Sequence, residues 1–465
     1  MNYLQYLENK YHFRNGIINS YLSVRKNRLF YKDIDLLSVV KKYKTPLEII
    51  YPSMIDERVD TIIDFFNAAL KKYQYKGSYT YAYASKTNYY EETISKILGK
   101  GCALETTSEY DARLALYLKK KGKIKKTQLI IFNGFKLQGY ADIIKQIREK
   151  HENVIPVIEN DKDIELLKDT RKKMKVGIRL KIDLASNKKK TFEQIYNRFG
   201  YYQNSLDSTA TKISRIKNFD LKMLHVMVGS QIEDPKLFKL TLMQALKEYC
   251  KLKKKYPSLQ YFNIGGGLPT QYNLEFHFDY KKFIFDLVKE FKKICTNSGI
   301  KEPDIVTEYG RYTVADYASN FFKIEYEKEI KGRQENWYII DGSIMTMLPD
   351  AWALGQDFLL LPLNGYDRPI EKVWLAGITC DSDDVYHGSQ NQKHIILPKI
   401  SEELYVGFFG CGAYQANISG IGGVHHCMLP EPSELIIEKK KDKHSYHLVT
   451  RKQSFKRILK LLDYE

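Results

Sequence analysis

Short apolar runs of four to eight residues recur between positions 79 and 309, at 79–84, 102–105, 129–132, 154–158, 176–182, 221–228, 260–264 and 305–308. Amphipathic stretches of helical period, among them 110–118 and 237–252, separate most of them. Apolar runs of that length read as strands, and strands alternating with helices build a parallel sheet. Eight such repeats predict a (β/α)8 barrel with the residues at the strand C-terminal ends gathered at one mouth. The interval 183–219 is longer than the rest and predicts an insertion or mobile loop around Arg198-Phe199-Gly200.

After residue 320 the pattern changes. Aromatic and β-branched runs broken by turns, at 337–342, 372–375, 404–409 and 434–437, predict a β-rich second domain of barrel or sandwich type. Positions 34–44, ahead of Lys44-Thr45-Pro46, are expected to pack with that domain. The chain therefore divides into an N-terminal segment 1–45, a barrel 46–320 and a C-terminal β domain 321–465.

Composition narrows the function. No apolar run reaches the roughly 18 residues of a membrane span, and Met1-Asn2-Tyr3-Leu4-Gln5 lacks a basic stretch leading into an apolar one, so a cytoplasmic protein without a membrane partner is expected. The six cysteines, 102, 250, 295, 380, 411 and 427, show no metal-ligand spacing, so free thiols and no metal are expected. The formal net charge of +18 raises the question of a nucleic-acid partner. The lysines, however, occur in short runs such as 119–121, 172–173, 253–255 and 439–441 on what read as solvated helix faces, with no nucleic-acid-binding motif beside them.

The strand ends carry the chemistry. The run Tyr83-Ala84-Ser85-Lys86-Thr87-Asn88 leaves Lys86 just past an aromatic, alternating strand, where an amine beside apolar surface can lose its proton and attack a carbonyl. Strand two ends at Glu105, strand six carries His225 ahead of Gly229-Ser230, and strand seven runs into Gly265-Gly266-Gly267. Strand eight ends at Glu308, followed by Gly310-Arg311. Three consecutive glycines let backbone N–H groups approach an anionic oxygen cluster, with a following helix end adding to the attraction. Glu308 closes an apolar segment, so a cationic partner is expected for it. An amine, a phosphate cradle and a buried carboxylate together are what pyridoxal phosphate requires.

With these residues in place the chain resembles the alanine-racemase-like group of pyridoxal-phosphate enzymes, specifically its ornithine, diaminopimelate and arginine decarboxylases. The group's Tyr-Ala-x-Lys is matched by Tyr83-Ala84-Ser85-Lys86, its Gly-Gly-Gly turn by Gly265 to Gly267, and its Glu-x-Gly-Arg turn by Glu308-Tyr309-Gly310-Arg311. Its ring-stacking histidine has His225 as the nearest match, although Met227 stands at the usual position. The resemblance continues from Cys380-Asp381-Ser382-Asp383-Asp384, like the group's cysteine-acidic motif, to Gly412-Ala413-Tyr414-Gln415, like its phosphate-touching tyrosine segment. The stretches 341–353, 379–384 and 407–427 are most similar to the compact bacterial arginine decarboxylases, and Tyr309 replaces the proline usual in diaminopimelate enzymes.

The resemblance implies decarboxylation of L-arginine to agmatine and carbon dioxide in polyamine biosynthesis. Ornithine, lysine and meso-diaminopimelate are the alternative substrates. It implies pyridoxal 5'-phosphate on Lys86, the ring nitrogen on Glu308, stacking by His225, and cofactor contacts from Glu105, Ser230, Gly265, Gly266, Gly267, Gly310, Arg311 and Tyr414. It further implies Cys380 as proton donor from a second subunit, so that a homodimer shares its active sites. Three carboxylates beside that cysteine suit a cationic side chain, with Asp381 and then Asp383 the expected contacts and Asp384 left as solvated.

Overall fold

The computed structural model describes residues 1–182, 197–388, 393–440 and 443–465. The expected insertion overlaps 183–196, and that part lies outside the described residues. Two compact units emerge, one formed by Ile55–Pro269 with His277–Thr313, the other by Met1–Met54, Thr270–Phe276 and Val314–Glu465.

In the first unit eight parallel strands among the described residues close a barrel in sequence order: β1 (Tyr79–Ala84), β2 (Ala103–Thr106), β3 (Ile130–Phe132), β4 (Val154–Ile158), β5 (Met174–Leu180), β6 (Phe219–Val226), β7 (Tyr261–Asn263) and β8 (Asp304–Glu308). Closure comes from β8 on β1, with Glu308 paired to Ala82. The alternating aromatic run of the first strand suits one wet face, yet Tyr81 to Ala84 are all buried. A barrel strand faces side chains within and helices without, so neither face meets water. Ala82, Ala103, Ile131, Ile155, Val157, Met223 and Val306 fill the interior.

The helices follow local signals. In Pro235–Lys255, the Asp234 carboxylate accepts from the N–H groups of Lys236 and Leu237 at 2.9 and 3.0 Å, and Pro235 takes a first-turn place that needs no donor. Lys253, Lys254 and Lys255 fall in its last turn, and Lys119 and Lys120 in the last turn of Glu109–Lys120. Two of the lysine runs therefore complement helix C-termini. No helix among the described residues is long and apolar enough to cross a membrane.

The second unit holds a nine-stranded sheet and a three-stranded one (Leu22–Arg25, Arg28–Tyr31, Ile34–Asp35) among the described residues. Leu47–Ile50 lies between Ala318–Glu329, antiparallel, and Ser433–Lys440, parallel. That pairing moves the boundary drawn at 45/46: residues 46–54 belong to the sheet unit, as do those from Val314 onward. The helix Leu36–Tyr43 sets Leu36, Val39 and Val40 into one core with Leu47, Phe321, Leu359, Phe409 and Leu435.

Candidate active site

The barrel mouth is built from strand ends. Directly after β1 the chain makes one tight turn, Ser85–Thr87, that carries Lys86. The Ser85 hydroxyl lies 2.7 Å from the Glu105 carbonyl and 2.8 Å from Asp111 Oδ1, with one proton to donate between them, the Thr87 hydroxyl donates to the Ala84 carbonyl at 2.7 Å, and Tyr83 Oη to the Asn88 carbonyl at 2.8 Å. Gly310, where an added Cβ would lie 2.5 Å from Thr87 Cγ2, closes against the same turn. The amine leaves a braced base, and Lys86 Nζ reaches Glu105 Oε2 at 3.4 Å.

Two buried carboxylates stand across the mouth. Asn133, one residue past β3, donates through Nδ2 to Glu105 Oε1 at 2.8 Å and to Glu308 Oε1 and Oε2 at 3.0 and 3.1 Å. Asn263, the last residue of β7, donates to Glu308 Oε1 at 2.7 Å, and His225 Nε2 lies 3.2 Å from Glu308 Oε2. The buried Glu308 carboxylate thus finds its nearest partner in His225, with the Lys86 charge next. Burial alone would raise Glu308, but the charge and hydrogen bond of His225, the Lys86 charge and the Asn263 amide outweigh it and bring the carboxyl down to about 2. For Glu105 burial dominates. The Lys86 ammonium pulls against it, the Glu308 charge adds to it, and the carboxyl settles at about 7. One site thus holds a firmly ionised acid and one poised near neutrality.

The glycine turn follows β7. Gly265 (φ +64°) and Gly267 (φ +99°) adopt left-handed backbone, and a Cβ on Gly265 would sit 2.4 Å from the Val226 carbonyl. Asn263 Oδ1 accepts from Gly265 N–H at 2.9 Å, and Met227 Sδ lies 3.2 Å from the Gly266 nitrogen. The helix expected to abut this turn is absent, since the next one, Tyr280–Asn297, begins well beyond it. Arg311 Nε donates to Ser230 Oγ at 3.3 Å, tying the end of the eighth strand to the loop after the sixth.

A cavity of about 660 Å³ is lined by Lys86, Asn133, His225, Met227, Ser230 and Glu308, together with Arg179 and Phe199. Arg179 is paired to Glu159 at 3.0 Å and lies over the Phe199 ring. Lys86, Glu105, His225, Ser230, the glycine turn, Glu308, Gly310 and Arg311 are therefore brought together in one unit. Asn133, Asn263 and Arg179 are further members that sequence reading did not single out; for Asn133 and Asn263 the signal available was a polar residue at the end of a short apolar strand.

The other expected residues belong to the sheet unit. Tyr414, at φ +71°, precedes the short helix Gln415–Ser419, and Gln415 bonds to Asp350 through both its amide atoms. Cys380 is exposed, its Sγ 3.4 Å from Cys427 Sγ. Asp381 Oδ1 accepts from Asp383 N–H at 2.8 Å, and both carboxylates are half-buried. Asp384 is not solvated as expected: it is buried and accepts from Thr379 Oγ1 at 2.7 Å and from Ser343 Oγ and Met345 N–H, each at 3.1 Å, so it organises the loop.

Comparison with known proteins agrees with this arrangement. Residues 59–315 match the pyridoxal-binding domain of the pyridoxal-dependent decarboxylases. The chain is 24% identical to the biosynthetic arginine decarboxylase of Prochlorococcus marinus (strain MIT 9215), across 95% of this chain and 87% of that protein. It is 24% identical to arginine decarboxylase 1, chloroplastic, of Arabidopsis thaliana, across 96% and 79%. The crystal structure of the Campylobacter jejuni biosynthetic arginine decarboxylase superposes with a TM-score of 0.81 at 21% identity, covering all of this chain and 92% of that one. Diaminopimelate decarboxylase from M. jannaschii, in complex with L-lysine, gives 0.80 at 19%, covering 95% and 98%. With the lysine turn, the paired carboxylates and the glycine cradle all inside the matched span, the chain belongs to the pyridoxal-dependent decarboxylases, the enzymes that work with pyridoxal phosphate.

Proposed function

We propose that this protein decarboxylates L-arginine to agmatine and carbon dioxide, with pyridoxal phosphate held in the barrel cavity. The observation that carries the reading is the convergence of Lys86, the ionised Glu308, His225 and Ser230 on one cavity, with the glycine turn hydrogen-bonded directly to the backbone of Glu308. The residues fit the group. His225 Nδ1 and Asn133 Oδ1 are buried without a hydrogen-bond partner, and a Cβ at Gly265 or Gly267 would meet the Val226 carbonyl at 2.4 Å or the Gly229 carbonyl at 3.0 Å, so the turn keeps a backbone bare of side chains.

Lys86 Nζ is the covalent anchor, on a base too well braced to wander. Glu308, kept ionised by His225, Lys86 and Asn263, holds the proton on the ring nitrogen. His225 therefore acts through Glu308, and the neighbouring Met227 thioether, which lines the cavity, would pack against the bound group where the family usually has a histidine. The turn Gly265-Gly266-Gly267 lets the phosphate approach the backbone closely, with the N–H groups of Gly265 and Gly266 held by Asn263 Oδ1 and Met227 Sδ and with Ser230, Gly310 and Arg311 around it. Glu105, with its carboxyl at about 7 and 3.4 Å from the amine, would take or give a proton at Lys86 Nζ. When bound, pyridoxal phosphate supplies an electron sink for the pair released as carbon dioxide leaves.

Cys380 Sγ returns a proton to Cα, and the carboxylates of Asp381 and Asp383 receive the guanidinium. The working form is a homodimer in the cytoplasm, with Cys380 of one subunit completing the site of the other. Arginine is favoured over the other basic amino acids because curated relatives matching nine-tenths or more of the chain are named arginine decarboxylases. The test is product analysis. The holoenzyme incubated with L-arginine yields agmatine and carbon dioxide in equal amounts, and arginine recovered unchanged refutes the reading.

A further inference from the structure

We infer that Cys380, Cys427 and His426 form a binding site for a thiophilic divalent cation of the zinc class. The site lies wholly within the sheet unit and outside the pyridoxal cavity. Their donor atoms all lie within 4.8 Å of one another, although 47 positions separate the two cysteines in sequence.

The geometry favours a metal over a disulfide. Zinc–sulfur bonds of about 2.3 Å in a tetrahedron put two thiolate sulfurs about 3.8 Å apart, whereas a disulfide brings them to about 2.05 Å. The observed 3.4 Å is a few tenths from the first and far from the second. Cys427 and Met428 take left-handed backbone at φ +56° and +54°, a conformation costly for side chains of this size, and that turn aims the Cys427 thiol at Cys380. The Asp381 carboxylate, 3.8 Å from His426 Nε2, adds negative charge alongside. Cys380, His426 and Cys427 are all exposed, which leaves the fourth position to water, as in open zinc sites. Binding replaces two S–H bonds by two metal–sulfur bonds and releases two protons to solvent, with no change of oxidation state.

Because Cys380 is also the proposed proton donor, occupancy of the site shuts off turnover. That consequence rests on the proposed function, whereas binding itself does not. The experiment titrates reduced holoenzyme with Co2+ and follows tetrahedral d–d absorption at the red end of the spectrum, clear of the cofactor's own band, then displaces cobalt with Zn2+. One cobalt per chain is expected, and Cys427→Ser and His426→Ala each weaken uptake by at least about tenfold. Zn2+ inhibits arginine turnover in the wild type, and a chelator restores it. No tetrahedral band, uptake undiminished in both variants, or a Cys380–Cys427 disulfide whose reduced form takes up no cobalt overturns the site. Uptake without inhibition upholds the site and counts instead against Cys380 as proton donor.

Discussion

Replacing Glu308 by glutamine tests the electrostatic design of the barrel mouth. The carboxylate accepts from Asn263 at 2.7 Å and Asn133 at 3.0 Å and faces His225 Nε2 at 3.2 Å. Its fall from 4.5 to about 2 corresponds to about 3 kcal/mol in favour of the ionised form at this position. A glutamine keeps the shape, loses the charge and presents an NH2 group to two amide donors. A charge-assisted hydrogen bond from a protonated ring nitrogen contributes about 2–3 kcal/mol. If it is lost where electrons enter the ring, kcat falls about 30- to 150-fold. Cofactor content changes little, because the phosphate cradle and Lys86 are untouched. The assay is steady-state carbon dioxide release alongside cofactor quantitation for wild type and Glu308→Gln. A variant that retains its cofactor and turns over within threefold of wild type refutes the assignment.

Three further outcomes follow from other parts of the molecule. Glu105 has its folded-state value raised from 4.5 to about 7, so its contribution to the stability of the cofactor-free protein is fully present below about 4.5 and is lost as pH rises through about 7. Glu105→Gln should therefore stabilise that protein relative to wild type at pH 8 by up to about 3 kcal/mol and much less at pH 5 in urea unfolding, and an equal effect at both pH values contradicts the shift. Gly265→Ala adds a Cβ 2.4 Å from the Val226 carbonyl on left-handed backbone, and equilibrium dialysis should find pyridoxal phosphate bound at least about tenfold more weakly. Mixing nearly inactive Lys86→Ala and Cys380→Ala proteins and allowing subunits to exchange should restore about a quarter of wild-type activity, since half of the dimers then carry one intact site of two. No recovery, with exchange shown by mass spectrometry, excludes shared sites.

Much of the barrel was legible because its strands are buried on both faces. Val154–Ile158 is apolar at every position and stands out from amphipathic neighbours, and the lysine turn is marked by its place at the end of such a run. What escaped depends on contacts remote in sequence. Leu47–Ile50 reads as any short apolar run, and only its pairing with Ala318–Glu329 and Ser433–Lys440 puts it in the second sheet. Asn133 and Asn263 look like ordinary loop polars until closure of the barrel turns both onto Glu308. The motif makes His225 the nearest match for a ring-stacking residue but carries no sign of its approach to Glu308 at 3.2 Å, which only the closed barrel brings about. The same limit hid the pairing of Cys380 with Cys427, because the spacing rules for metal ligands describe local loops and not two segments folded together.

The most direct measurement is where the cofactor is attached. Reducing the purified holoenzyme with borohydride, digesting it and sequencing the labelled peptide by mass spectrometry should place a single pyridoxyl group on Lys86, within Tyr83-Ala84-Ser85-Lys86-Thr87-Asn88. A label on another lysine, or a protein that takes up no pyridoxal phosphate when supplied with it, would contradict the assignment of the barrel mouth as the catalytic centre.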